Sequence, residues 1–113
     1  MTVIVSRHAG QVEWLRRQGV VGPVISHVEA PEQIAGKVVF GNLPMSLAAG
    51  AALVVTVDLP GLKPEQRGQE LSPEEMDAAG ARLQCYRIQR YGGDLSEALD
   101  RAFREDWLLQ TCQ

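Results

Sequence analysis

Short, apolar, β-branched runs recur along this chain, and helix-forming or turn-rich segments separate them. That rhythm constrains the fold more than any other feature. Thr2 to Ser6, Val24 to Val28, Lys37 to Phe40 and Ala52 to Val57 each read as a buried strand, continuous in apolar character rather than alternating. Between the first two, Gln11 to Gln18 carries Val12, Trp14 and Leu15 toward one side, Arg16 and Arg17 in its last turn, and Gly19 as a left-handed stop, which predicts a short helix. A further helical turn is expected from Pro44. Strands buried on both faces and alternating with helices imply an α/β fold with a largely parallel sheet. With 113 residues there is room for one minimal Rossmann-like domain, residues 1–113, of about five mostly parallel strands with helices on both faces.

The second half of the chain is less regular. Leu59 to Leu71 holds Pro60, Gly61, Pro64 and Gly68 with almost no periodic apolar signal, and reads as a long structureless loop placed to fold over a site. Ser72-Pro73-Glu74-Glu75 then opens a helix with a capping box, continued by Met76, Ala79 and Leu83. A fifth strand is expected from about Gln84 through Cys85, Tyr86 and Ile88. Asp94 and Glu97 form a second capping box before a terminal helix whose stripe is Leu95, Ala98, Leu99, Ala102 and Phe103.

Composition narrows the function classes. Eleven basic and fourteen acidic side chains leave a net charge of −3, which disfavours long nucleic acid as a partner but leaves room for a small anion held by a few donors. Nine of the eleven cations are Arg, the side chain suited to bidentate phosphate contacts. No apolar run approaches the roughly 20 residues of a membrane span, and Met1 to His8 does not read as a signal peptide, so a cytoplasmic protein is expected. Cys85 and Cys112 lack metal-type spacing and are expected as reduced thiols; no metal site or cofactor is expected. The dinucleotide-binding, P-loop and nucleophile-elbow glycine motifs are absent.

In open parallel sheets ligands bind beyond the carboxyl ends of the strands. The residues expected there are Ser6, Arg7 and His8 after the first strand, and His27 with Glu29 after the second. Gly41, Asn42 and Leu43-Pro44 follow the third, and Asp58 the fourth. Both histidines thus share one rim with an Arg, an Asn and an Asp. Arg7 beside His8 suits a phosphate next to a proton-transfer group, and the helix beginning near Gly10 would add backbone donors. The plainer alternative pairs Arg7 with a carboxylate and leaves His8 to cap or pack. Asn42 suits a turn or a base edge, Trp14 the core, and Arg67 with Glu70 could close over a ligand from the loop.

Ser6-Arg7-His8, Glu13-Trp14-Leu15, the Val-Val-Phe-Gly-Asn-Leu-Pro segment at 38–44, Asp58-Leu59-Pro60, and Arg67-Gly68 through Glu70-Leu71-Ser72 together resemble a small CRISPR-associated accessory family of the Csx class, encoded beside type III systems. The likeness runs from Met1 to about residue 91. Asn42 stands where that family typically has Thr, so the resemblance assigns its amide no special role. The resemblance implies a dimeric protein, CARF-like in architecture, that acts as a metal-independent ring nuclease on cyclic tetra-adenylate, a cyclic oligoadenylate messenger of antiviral defence. It implies attack of a 2′-hydroxyl on the adjacent phosphodiester. Arg7 would then meet the phosphate, Ser6 and backbone donors near Gly10 its oxygens, and His8 the proton. Gly41, Asn42, Leu43 and Asp58 would line the substrate site, and Arg67 would supply further charge. Two other readings remain open: a protein that binds the messenger without cutting it, and a protein that docks on a CRISPR complex with no nucleotide site.

Overall fold

Successive side chains of a strand point to opposite faces of its sheet, and this alternation divides the hydrophobic residues into two layers. In a computed structural model, which describes residues 1–111 and the side chains of residues 1–104, Ile4 of β1 (Thr2–Val5) turns to one face. There it packs with Trp14 and Leu15 of α1 (Ala9–Arg17) and Met76 of α3 (Pro73–Ala78). Its neighbour Val3 turns to the other face and meets Val39 of β3 (Val38–Phe40) and Ile34. That second layer is closed by Leu47 of the short helix α2 (Met45–Ala48) and by the chain around a 3₁₀ turn at Pro31–Gln33. Ile4, Leu15, Ile34 and Val39 are fully buried. Each contributes roughly 1.5–3 kcal/mol through burial.

The sheet is five-stranded, in the order β2-β1-β3-β4-β5, with β2 at Val24–Ile25, β4 at Leu53–Asp58 and β5 at Arg82–Tyr86. The pairings of β1 with β2 and β3, and of β3 with β4, are parallel, with Val3 opposite Val39 and Val39 opposite Val54. This is the mixed α/β, mostly parallel, Rossmann-like architecture expected. The fifth strand differs from expectation: it begins at Arg82 and runs antiparallel to β4, with Asp58 opposite Arg82 and Val54 opposite Tyr86. β2 is two residues long, because after Ile25 the chain turns away at Ser26 to line a cleft.

The helix signals work as the chemistry requires. Ser72 Oγ accepts the Glu75 amide at 3.1 Å while Glu75 Oε1 accepts the Ser72 amide, also at 3.1 Å. Asp94 likewise accepts the Glu97 amide at the start of α4 (Leu95–Thr111). Gly19, at φ 92°, stops α1. The 59–71 segment is not structureless. Gly61 donates to the Ala79 carbonyl at 2.8 Å, a 3₁₀ turn spans Pro64–Gln66, and Leu59 and Leu71 pack on the Ile4–Trp14 layer. Trp14 is core, and its indole N–H donates to Asp77 at 2.7 Å, tying α1 to α3.

Cys85 carries an exposed free thiol, and Cys112 lies outside the described residues. No described helix is long and apolar enough to cross a membrane.

Candidate functional site

From β1 the chain crosses to β2 on one side and then to β3 on the other, so the connections leave the carboxyl end of β1 in opposite directions. Such a reversal opens a crevice at the strand ends. Here it is a cavity of about 400 Å³. Ser6, Arg7, His8 and Gln11 come to it from the β1–α1 junction, Ser26 and His27 from the end of β2, and Asn42, Leu43 and Pro44 from the end of β3. The topology therefore brings together Ser6, Arg7, His8, His27, Asn42 and Leu43 of the expected rim.

The junction after β1 is held by its own polar groups. Ser6 Oγ accepts the His8 amide at 3.1 Å and donates to Gln11 Oε1 at 3.2 Å. Arg7 is exposed, and among the described residues no carboxylate forms an ion pair with it. An uncompensated guanidinium at the mouth of a cleft is suited to an anionic ligand.

His8 does have a partner, and it comes from the long loop. Glu70 Oε2 lies 2.8 Å from His8 Nδ1, and Glu70 Oε1 accepts the Gly10 amide at 3.2 Å. The hydrogen bond to His8, and next the one from Gly10, hold the Glu70 carboxyl below its ordinary range. A carboxylate on Nδ1 keeps the proton on that nitrogen, leaving Nε2 of the neutral ring with a lone pair. His27 is engaged by side chains rather than by backbone: the Ser26 hydroxyl lies 3.2 Å from its Nδ1, and Glu29 lies 3.5 Å from its Nε2.

Four of the expected site residues are placed elsewhere. The Gly10 amide is already taken by Glu70, and a Cβ at Gly10 would collide with the Leu71 carbonyl, so Gly10 serves as the seat of the loop and not as an open anion donor. The Gly41 amide donates to the Val55 carbonyl at 2.9 Å within the sheet. Asp58 ends β4 opposite Arg82, where the Thr56 hydroxyl reaches it at 3.4 Å, and it lines neither cavity of the rim. Arg67 is exposed, and its neighbours Gln66, Gly68 and Gln69 face the site instead.

Gln66 and Gln69 belong to a second cavity, of about 210 Å³, between the end of β4, the loop and α3. It shares His8, Gln11 and Asn42 with the first, so the two cavities adjoin with those residues between them. No motif in the sequence marks Gln11, Ser26, Gln66 or Gln69 as site residues. For Gln11 the signal was its place in the first turn of the helix after Ser6-Arg7-His8. Among the described residues no three His, Cys, Asp or Glu side chains gather as a metal-ligand set.

No curated protein and no solved structure matches the chain. Residues 3–89 match the family described as "Putative CRISPR-associated protein (Cas_VVA1548)", a span that includes every strand from Val3 onward and all of the cleft. The chain belongs to this CRISPR-associated family.

Proposed function

We propose that this protein is a ring nuclease of type III CRISPR defence, binding cyclic tetra-adenylate and opening it by attack of a ribose 2′-hydroxyl on the adjacent phosphodiester. The observation that carries this reading is the Arg7 guanidinium, without an ion pair among the described residues, beside a carboxylate-oriented imidazole, His8, at the switch-point cleft. In the reaction the 2′-oxygen forms a bond to phosphorus and the bond from phosphorus to the 5′-oxygen breaks. The products carry a 2′,3′-cyclic phosphate and a 5′-hydroxyl. His8 Nε2 takes the 2′-hydroxyl proton, and His27 on the same cavity is the group to return one to the departing 5′-oxygen. Arg7 offsets the charge that builds on the phosphoryl oxygens in the transition state. The step uses the ring's own nucleophile, so it requires neither a cofactor nor a metal from the protein.

A four-membered ring has the symmetry of a twofold assembly, and a homodimer would present Arg7 and His8 twice across an isologous interface. The test is to incubate the protein with cyclic tetra-adenylate in EDTA and follow the products by chromatography and mass spectrometry. Linear products ending in 2′,3′-cyclic phosphate are expected. Intact ring that stays bound at stoichiometric protein would replace this reading with messenger binding alone. No binding of any cyclic oligoadenylate would leave docking on a CRISPR complex.

A further inference from the structure

The second cavity has a different chemistry from the first. Val57, Leu59, Leu71 and Met76 line it, and all four belong to the Ile4–Trp14 layer of the core, which gives the cavity a rigid apolar floor. Among the described residues no Lys, Arg, Asp or Glu lines it, and the one titratable side chain on its wall is His8, shared with the first cavity. Its other polar groups are carboxamides, and two of these are oriented. Gln66 Oε1 accepts the Lys63 amide at 3.0 Å and Gln11 Oε1 accepts the Ser6 hydroxyl. Each side chain thus has its oxygen occupied, and among the described residues neither NH₂ group has a partner.

A cavity with an apolar floor, oriented N–H donors and no cation does not suit a phosphate, and its donors would go unused on an aliphatic chain. It suits a flat heterocycle with acceptor nitrogens on its edge. At about 210 Å³ it is below the roughly 300–1,000 Å³ typical of pockets for drug-sized ligands, which matches a single base rather than a whole nucleotide. The two cavities share His8, Gln11 and Asn42, so a phosphodiester at Arg7 in the first and a base in the second would lie on either side of those residues.

We infer that the second cavity is a nucleobase subsite, taking one adenine of the bound ring face-on to Leu59, Leu71 and Met76, with Gln66 and Gln11 donating to its ring nitrogens. This rests on the reading of the first cavity as the phosphodiester site. It assigns the 59–71 segment the role of one wall of a base pocket.

The test uses the full chain and the 2′-deoxy form of cyclic tetra-adenylate, which binds without supplying a nucleophile. Methyl-labelled protein is titrated, and intermolecular nuclear Overhauser effects are recorded from the Leu59, Leu62, Leu71 and Met76 methyls, together with amide shifts of Ser6, Arg7 and His8. Contacts from those methyls to adenine H2 or H8, with the amide shifts, are expected. Amide shifts without any methyl contact to the base would overturn the subsite and leave the phosphodiester site standing. No binding at all would overturn both. A second measurement is Leu62→Trp, which fills the cavity: ring binding weakened by about tenfold or more is expected, and a folded variant with unchanged affinity rules the subsite out.

Discussion

The parallel half of the molecule and its antiparallel edge both carry large apolar side chains but cover them very differently. In β1, β3 and β4 the apolar residues are enclosed between α1 and α3 on one face and the α2 layer on the other, with Ile4 and Val39 fully buried. In β5 Leu83 and Tyr86 are 40% and 48% exposed, and in α4 the stripe of Leu95, Leu99 and Phe103 is 68%, 50% and 73% exposed. The cleft is confined to the covered half, and α4 lies wholly beyond the family match. Site geometry needs strands held from both sides, because a rim residue is only as well placed as the strand beneath it.

The largest expected effect tests that contrast directly. Ile4→Ala removes a fully buried side chain between α1, α3 and the sheet, and should lower unfolding stability by about 2–5 kcal/mol. Leu99→Ala, on the exposed stripe of α4, should change it by less than about 0.5 kcal/mol in the same urea titration. Equal losses would mean that α4 is covered in solution, and a concentration-dependent loss would identify a second copy as the cover.

Next in size is Arg7→Ala. Under the proposed reaction it should reduce turnover of cyclic tetra-adenylate by about 100-fold, the scale of removing one transition-state charge partner. Its unfolding midpoint should stay at the wild-type value, because Arg7 is exposed and has no ion pair among the described residues. A variant with wild-type turnover would remove Arg7 from the mechanism.

The same division explains what could be read from sequence. The continuous apolar runs of β1, β3 and β4 specify buried parallel strands, and from those the polar rim Ser6, Arg7, His8, His27, Asn42 follows by topology alone. The reversal at β5 had a signal too. Arg82-Leu83-Gln84-Cys85-Tyr86 lacks the continuous apolar run of β1, β3 and β4, and a strand without one suits a sheet edge rather than a parallel interior buried on both faces. The Glu70–His8 contact had none, since the two residues are 62 positions apart and nothing local chooses Glu70 over Arg67 as the loop residue that turns inward. Which side of an irregular loop faces the protein is decided by its anchors, here Gly61 on Ala79 and Leu71 on the core.

Two caps of the same type sharpen the comparison further. Ser72→Ala removes the cap of α3, which packs on α1 through Trp14–Asp77 and Arg17–Glu74, and should cost about 1 kcal/mol of global stability. Asp94→Ala removes the equivalent acceptor from α4. Because α4's exposed stripe lets its first turn open without unfolding the sheet, the loss should show as reduced helical circular dichroism with an unchanged urea midpoint. A midpoint shift as large as that of Ser72→Ala would tie α4 into the cooperative core.

The smallest effect is one of pH, and it isolates the contact of Glu70 with His8. Glu70 is held below its ordinary value of 4.5 by His8 and then by the Gly10 amide, so its folded carboxyl binds a proton less readily than its unfolded one. Stability from this group is therefore fully present above the ordinary carboxylate range and is lost as pH falls through it toward the lower folded value. Glu70→Gln keeps an oxygen for the Gly10 amide but cannot ionise. Its urea midpoint should fall less steeply than that of wild type below pH 4.5, and above that range it should be the less stable of the two. Parallel acid limbs for the two proteins would show that the loop is held by Gly61 and Leu71 alone.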